Sequence, residues 1–196
     1  MAAHYTHGGL LAAIAAGVER LGKTPASVLV EDLAPVDEFH IGGRVATGAF
    51  LDQVGLGASD HVLDVGCGLG GASRFAAQSY GCRVTGVDLT PEYVETGNVL
   101  CTWVGLDHRV TLEQGDATTT GFSAGMFDKA FMLHVGMNIA DKSALASELH
   151  RVLAPGGTLG IYDVMRVDEG EIAFPVPWAM SAEGSAVASP AAYKAA

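Results

Sequence analysis

Basic residues are scarce in this chain: eleven Lys plus Arg stand against twenty-two Asp plus Glu, a formal charge of −11 over 196 residues. Binding a polyanion needs Lys and Arg clustered on one surface. None is clustered here, so a nucleic-acid partner is set aside and a small neutral or cationic substrate is favoured. Cysteine is scarce too. Cys67, Cys82 and Cys101 are odd in number and lack C-x-x-C spacing, which reads as reduced thiols in a cytoplasmic protein. The seven histidines have no zinc spacing; His4 and His7 are read as solvated residues near a terminus. No metal site is expected. No apolar run reaches the roughly 18 residues of a membrane span. The segment from Gly9 to Gly17 has no basic flank before it, so it reads as an amphipathic helix and not as a secretory signal. There is no internal repeat.

Glycine and apolar residues are plentiful: 26 glycines and 49% apolar composition in a length that suits one domain. Residues 62–71 concentrate the signal. An apolar run (Val62, Leu63, Val65) carries Asp64 and ends in Gly66, Gly68, Gly70 and Gly71. The next apolar run, from Val84, ends in Asp88. A strand, a glycine turn, a helix and a second strand ending in a carboxylate make a nucleoside-binding corner. Gly66, Gly68 and Gly71 satisfy G-x-G-x-x-G, with Asp88 about 20 residues on, the fingerprint of a dinucleotide site. Asp64 at the mouth of the turn argues otherwise. A carboxylate there would repel a pyrophosphate and suits a ligand carrying an ammonium and a sulfonium.

Hydrophobic periodicity supplies the frame. Helices are predicted over 8–22 and 44–56, with an irregular stretch from Glu31 to Gly43 between them. From His61 the chain alternates. Strands are predicted over 61–65, 82–87, 109–114, 127–133 and 157–163, and helices over 70–80, 91–104 and 141–153. Ala154-Pro155-Gly156-Gly157 reads as the turn before the last strand, and Ser189-Pro190 as the cap of a short final helix. This alternation predicts an α/β fold with a doubly wound, mostly parallel sheet. Ligands bind such sheets at the carboxyl ends of the strands.

With Asp64-x-Gly66-x-Gly68-x-Gly70 and Asp88 in place, the sequence resembles the class I S-adenosylmethionine-dependent methyltransferases. The likeness spans about residues 30–180. It is nearest in flavour to the small-molecule group of ubiquinone/menaquinone-pathway, tocopherol-type and sarcosine/dimethylglycine methyltransferases. His40-Ile41-Gly42-Gly43-Arg44, the run from Gly81 to Thr90, His134-Val135-Gly136-Met137-Asn138-Ile139 and Val152-Leu153-Ala154-Pro155-Gly156-Gly157 all carry it. The resemblance implies a Rossmann-like core over 58–165, an N-terminal helical lid over 1–57, and a C-terminal loop with a truncated helix start over 166–196. Relatives continue through a further helix and a β-hairpin to seven strands. Those strands are missing here, so the chain is shortened, lacks a tail, or has its edge covered by a partner.

The resemblance also assigns roles. The cofactor would be S-adenosyl-L-methionine, the product S-adenosyl-L-homocysteine. Asp64, Gly66, Cys67, Gly68 and Gly70 would line the methionine and ribose, Asp88 with Leu89 the ribose diol, and Asp116 with Ala117 the adenine. His134 would border the cofactor and act as general base, because an imidazole suits proton removal near neutral pH; a pocket-lining or backbone-bonded His134 is the alternative. His40, with Arg44 beside it, Met137, Asn138, Tyr162, Asp163 and Trp178 are candidates for the acceptor side; each has a structural alternative in a loop or cap. The Asn/Asp-Pro-Pro-Tyr/Phe element of amide and nucleobase methylation is absent. The expected reaction is in-line methyl transfer to a small-molecule N, O or C acceptor, by a monomer or homo-oligomer. A nicotinamide-dependent oxidoreductase and a cofactor-binding but inactive interaction module are the rivals.

Overall fold

The computed structural model describes residues 9–168 and 170–196; His4 and His7 lie outside the described residues. A five-stranded sheet forms the centre, in the order β3-β2-β1-β4-β5. The strands are β1 (His61–Val65), β2 (Arg83–Asp88), β3 (Val110–Gln114), β4 (Phe127–Leu133) and β5 (Leu153–Tyr162). Every pairing is parallel. β1 is buried at all five residues, as a central strand covered on both faces must be.

Helices α1 (Leu10–Arg20), α2 (Ala34–Asp37) and α3 (Gly43–Val54) precede the sheet. α4 (Gly71–Tyr80), α5 (Pro91–Trp103) and α6 (Lys142–Val152) flank it, and α7 (Pro190–Ala195) ends the chain. One apolar cluster joins Val62, Val84, Leu112 and Phe131 to Ala76 and Ala77 of α4; a second joins Leu63, Val65 and Met132 to Leu145, Leu149 and Val152 of α6. A third seats α1 on Leu100 of α5 through Ile14 and Val18. Among the described residues no helix is long and apolar enough to cross a membrane.

Two expectations are corrected. The stretch from Glu31 to Gly43 is irregular only over residues 38–42: a 3₁₀ turn at Val30–Leu33 runs into α2. Pro35 sits in the first turn of α2, where its missing N–H is harmless. β5 begins at Leu153 and not at 157. Leu153 already pairs with Phe127, and the register then jumps so that Thr158 pairs with Lys129. The residues read as a turn are therefore an irregularity inside the strand, with Gly156 at φ 83°. The other predicted strands and helices stand within a few residues of their expected bounds. Ser189 caps α7 by accepting from the Ala192 amide at 3.2 Å.

The strand order reverses between β1 and β4, which opens a crevice beyond their carboxyl ends. The segment before β1 and the segment after β5 both turn back toward that crevice.

Candidate active site

The glycine turn after β1 is fixed by β2. The amides of Gly66 and Cys67 both donate to Val87 O, at 2.8 and 3.0 Å. The Gly68 amide donates to Asp88 Oδ2 at 2.9 Å, and Asp88 Oδ1 accepts from the Thr90 amide at 2.9 Å. Gly66 must be glycine. It lies at φ +71°, and a Cβ there would stand 2.3 Å from Val135. At Gly68 nothing lies within 4 Å of a Cβ position, so its backbone faces open space.

That space is a cavity of about 980 Å³ at the switch point. Asp64, Gly66, Cys67, Gly68, Asp88, Leu89, Asp116, Ala117, His134, His40 and Asn138 all line it. Gly70 does not. Its Cβ position meets Leu112, so it serves close packing and, at φ +77°, caps α4. Met137, Tyr162, Asp163 and Trp178 also stand outside the lining. Met137 is buried. The Tyr162 hydroxyl donates to Ile41 O at 3.3 Å, and Asp163 accepts from the Tyr193 hydroxyl. Trp178 Nε1 donates to Ser185 Oγ at 3.1 Å. Asn138 Nδ2 donates to Trp178 O and Gly184 O at 3.0 and 2.9 Å, tying down the segment whose Pro177 and Glu183 reach the cavity.

The lining is acidic. Asp37, Asp64, Asp88, Asp116, Asp141 and Glu183 face the cavity, and among the described residues no Lys or Arg lines it. Asp64 is 2% exposed and accepts from Ser73 Oγ at 2.6 Å. Burial raises its pKa to about 7, with the Asp88 charge adding to the shift. Asp116 binds its own loop through Oδ1, which accepts from the Thr118 amide and hydroxyl at 2.8 and 2.7 Å. His134 is the one non-glycine residue at positive φ among those described (55°), a conformation uncommon enough to mark a functional position. Its amide donates to Tyr162 O at 2.8 Å, and burial pushes its imidazole below the ordinary histidine pKa.

Sequence reasoning missed Asp37. It is held by Arg74 of α4, and both side chains are fully buried. Among the described residues Asp37 Oδ2 is left without a partner, and burial raises the carboxyl to about 6 against the pull of Arg74. The acid stands in the stretch around His40 that was singled out, but its pairing depends on α4, 37 residues away. Bare backbone at Gly68, carboxylates along the walls and an unpartnered buried acceptor fit S-adenosylmethionine, whose ammonium and sulfonium are cationic and whose ribose and adenine offer donors. Among the described residues no cluster of His, Cys, Asp and Glu could hold a metal ion.

Comparison with known proteins agrees with this geometry. Residues 62–157 match the family model of a methyltransferase domain. A probable chloroplastic tocopherol O-methyltransferase of Oryza sativa subsp. japonica is 42% identical over 98 residues, 50% of this chain and 27% of that protein. Residues 62–157 belong to the class I S-adenosylmethionine-dependent methyltransferases. The 2-methyl-6-phytyl-1,4-hydroquinone methyltransferase of Synechocystis sp. is 37% identical to the chain carrying this methyltransferase domain, over 111 residues, 57% of this chain and 34% of that protein. Phosphoethanolamine N-methyltransferase 2 of Haemonchus contortus, solved with S-adenosyl-L-methionine, is 32% identical at a TM-score of 0.58, covering 62% of this chain and 28% of that one. Geranyl diphosphate C-methyltransferase from Streptomyces coelicolor A3(2) shares the fold at a TM-score of 0.68, with 24% identity, over 78% of this chain and 57% of that one. The chain spans about a quarter to a third of the length of the curated relatives it matches.

Proposed function

We propose that the chain transfers a methyl group from S-adenosylmethionine to a small neutral or cationic acceptor. The observation that carries this reading is one cavity lined together by the glycine turn, Asp88, Asp116 and His134, with carboxylates and no Lys or Arg. The cofactor supplies an electrophilic methyl on a sulfonium that leaves as a neutral thioether. Gly66 and Gly68 present it with backbone, and only at Gly68 does the side-chain position face the open space. Asp88 accepts from the ribose diol, with Leu89 beside it, and Asp116 with Ala117 holds the adenine edge. Asp64 and Asp37 face the ammonium end. A ring nitrogen of His134 takes the acceptor's proton when that acceptor is a hydroxyl or carbon acid. The remaining work is positioning. Val36, Phe39 and Leu133 give the cavity apolar wall on which an acceptor with a hydrophobic body rests.

The segment before β1 acts as the lid, and the segment after β5 as a second wall. The acidic surface leaves nucleic acid out as substrate. The three free, buried cysteines fit a reducing compartment such as the cytoplasm. The rival nicotinamide reading would set a pyrophosphate near Asp64 at the mouth of the turn, where a carboxylate opposes it.

The test is transfer of labelled methyl from S-adenosylmethionine to a panel of phenols, quinols, amines and sterol-like alcohols. At least one acceptor should gain label. His134→Ala should lower turnover at least tenfold for a hydroxyl acceptor while S-adenosylhomocysteine affinity changes little. Unaltered turnover would remove His134 from the base role, and no label on any acceptor would favour a binding module without catalysis.

A further inference from the structure

His40 and His134 line the same cavity, with ring centroids 5.8 Å apart and planes tilted by 53°. The contacts around His40 favour its protonated form. Its Nε2 lies 3.0 Å from Glu38 Oε2 and 2.9 Å from Thr47 Oγ1, and its Nδ1 lies 3.3 Å from Ile41 O. Thr47 Oγ1 also lies 3.0 Å from Glu38 Oε2 and 3.4 Å from Gly43 O, and it meets His40 as an acceptor when its one proton goes to either; Glu38 Oε2 is an acceptor at Nε2 in every case. Both ring nitrogens therefore face acceptors. A neutral imidazole has one N–H and one lone pair, and the lone pair would point at an oxygen. The doubly protonated ring satisfies every contact. With the side chains of Glu38 and His40 only 9% and 8% exposed, water screens the pair weakly.

The second carboxylate oxygen, Glu38 Oε1, accepts from Arg44 Nε, and Arg44 is stacked on Phe75. Glu38 is thus held between two cations and cannot turn away. Its carboxylate raises the pKa of His40, and Asp64 adds to that from β1. Among the described residues His134 has no such acid beside it: burial lowers its pKa, and the charge of His40 lowers it further. Among the described residues its other ring neighbour is Tyr162, at 5.4 Å. Two histidines close together are thereby driven apart in protonation, a pattern by which one fold holds an acid and a base side by side.

We propose that Glu38 and His40 are positioning residues for the proton acceptor: their locked carboxylate–imidazolium pair turns its positive ring toward His134 and keeps that imidazole neutral. The inference rests on the reading of His134 as the base. It also reassigns His40. With both nitrogens engaged, His40 offers the acceptor molecule no N–H and acts through its charge.

The test needs no acceptor. Protein labelled at histidine with ¹³C is titrated by NMR with S-adenosylhomocysteine present, the Cε1–H signals being assigned by their loss in His40→Gln and His134→Ala. In the unsubstituted protein His40 should titrate above the ordinary range and His134 below it. In His40→Gln the His134 midpoint should move to higher pH. In Glu38→Gln the His40 midpoint should fall and that of His134 rise, because the positive ring is lost at neutral pH. A His134 midpoint that stays put in folded variants overturns the proposal. If His40→Gln does not fold, Glu38→Gln decides alone by the same two shifts. Turnover separates this from the base role: His134→Ala with unaltered methyl transfer would end that role and leave the coupling intact.

Discussion

Asp88 does two jobs with one carboxylate. It closes the glycine turn through the Gly68 amide and opens α5 through the Thr90 amide, and it lines the cavity where ribose hydroxyls would lie. Hydrogen bonds to a charged group contribute about 1.5–3 kcal/mol. Asp88→Ala should therefore weaken S-adenosylhomocysteine roughly 10- to 100-fold by calorimetry, and unchanged affinity would take Asp88 out of the site. Asp88 was legible because its position follows from the strand alone: an acid at the carboxyl end of the strand after a glycine turn. Asp37 was not. Its role comes from Arg74, brought across by packing of α2 on α4, and nothing in the local pattern around Val36 and Pro35 marks it. Gly70 shows the same limit. It belongs to the motif by spacing, while its close contact with Leu112 is a packing demand that spacing does not show.

At the scale of elements, a buried ion pair ties the segment before β1 to the core, Asp37 of α2 with Arg74 of α4. Gly71 makes the approach possible: a Cβ there would stand 2.4 Å from Asp37 Cβ. Removing one partner of such a pair costs about 3–5 kcal/mol, since the other charge stays buried. Arg74→Met should lower stability by about that much at pH 8 in denaturant unfolding. The loss should shrink at pH 5, where Asp37 can take up a proton. A loss independent of pH would mean that packing, not the pair, is what matters. The alternating strands and helices between His61 and Val152 were readable because each apolar run ends in its own turn or cap. The lid was harder. Pro35 reads as a breaker in isolation, yet at the first turn of α2 it starts a helix. The bulge in β5 was hidden because a Pro-Gly-Gly run looks like a turn until Leu153 is seen paired with Phe127.

On the scale of the molecule, the fold keeps two acids buried beside a site built for a cation. Asp64 is raised from 3.8 to about 7 and Asp37 to about 6, both chiefly by burial. In the folded state each holds its proton over a window in which the unfolded chain has lost it. Stability therefore falls as pH rises from about 4 toward 7. Asp64→Asn should flatten that fall in Tm, and an unchanged slope would show that Asp64 is ionised throughout. Five strands and both walls of the cavity are present in a chain spanning about a quarter to a third of its curated relatives. The central claim, that the cavity takes S-adenosylmethionine and not a dinucleotide, is tested most directly by a thermal-shift comparison of S-adenosylhomocysteine with NAD⁺. A ligand at about 100 times its Kd stabilises by about 2.7 kcal/mol, which is readily seen. S-adenosylhomocysteine alone should raise Tm; a rise with NAD⁺ alone would contradict the assignment.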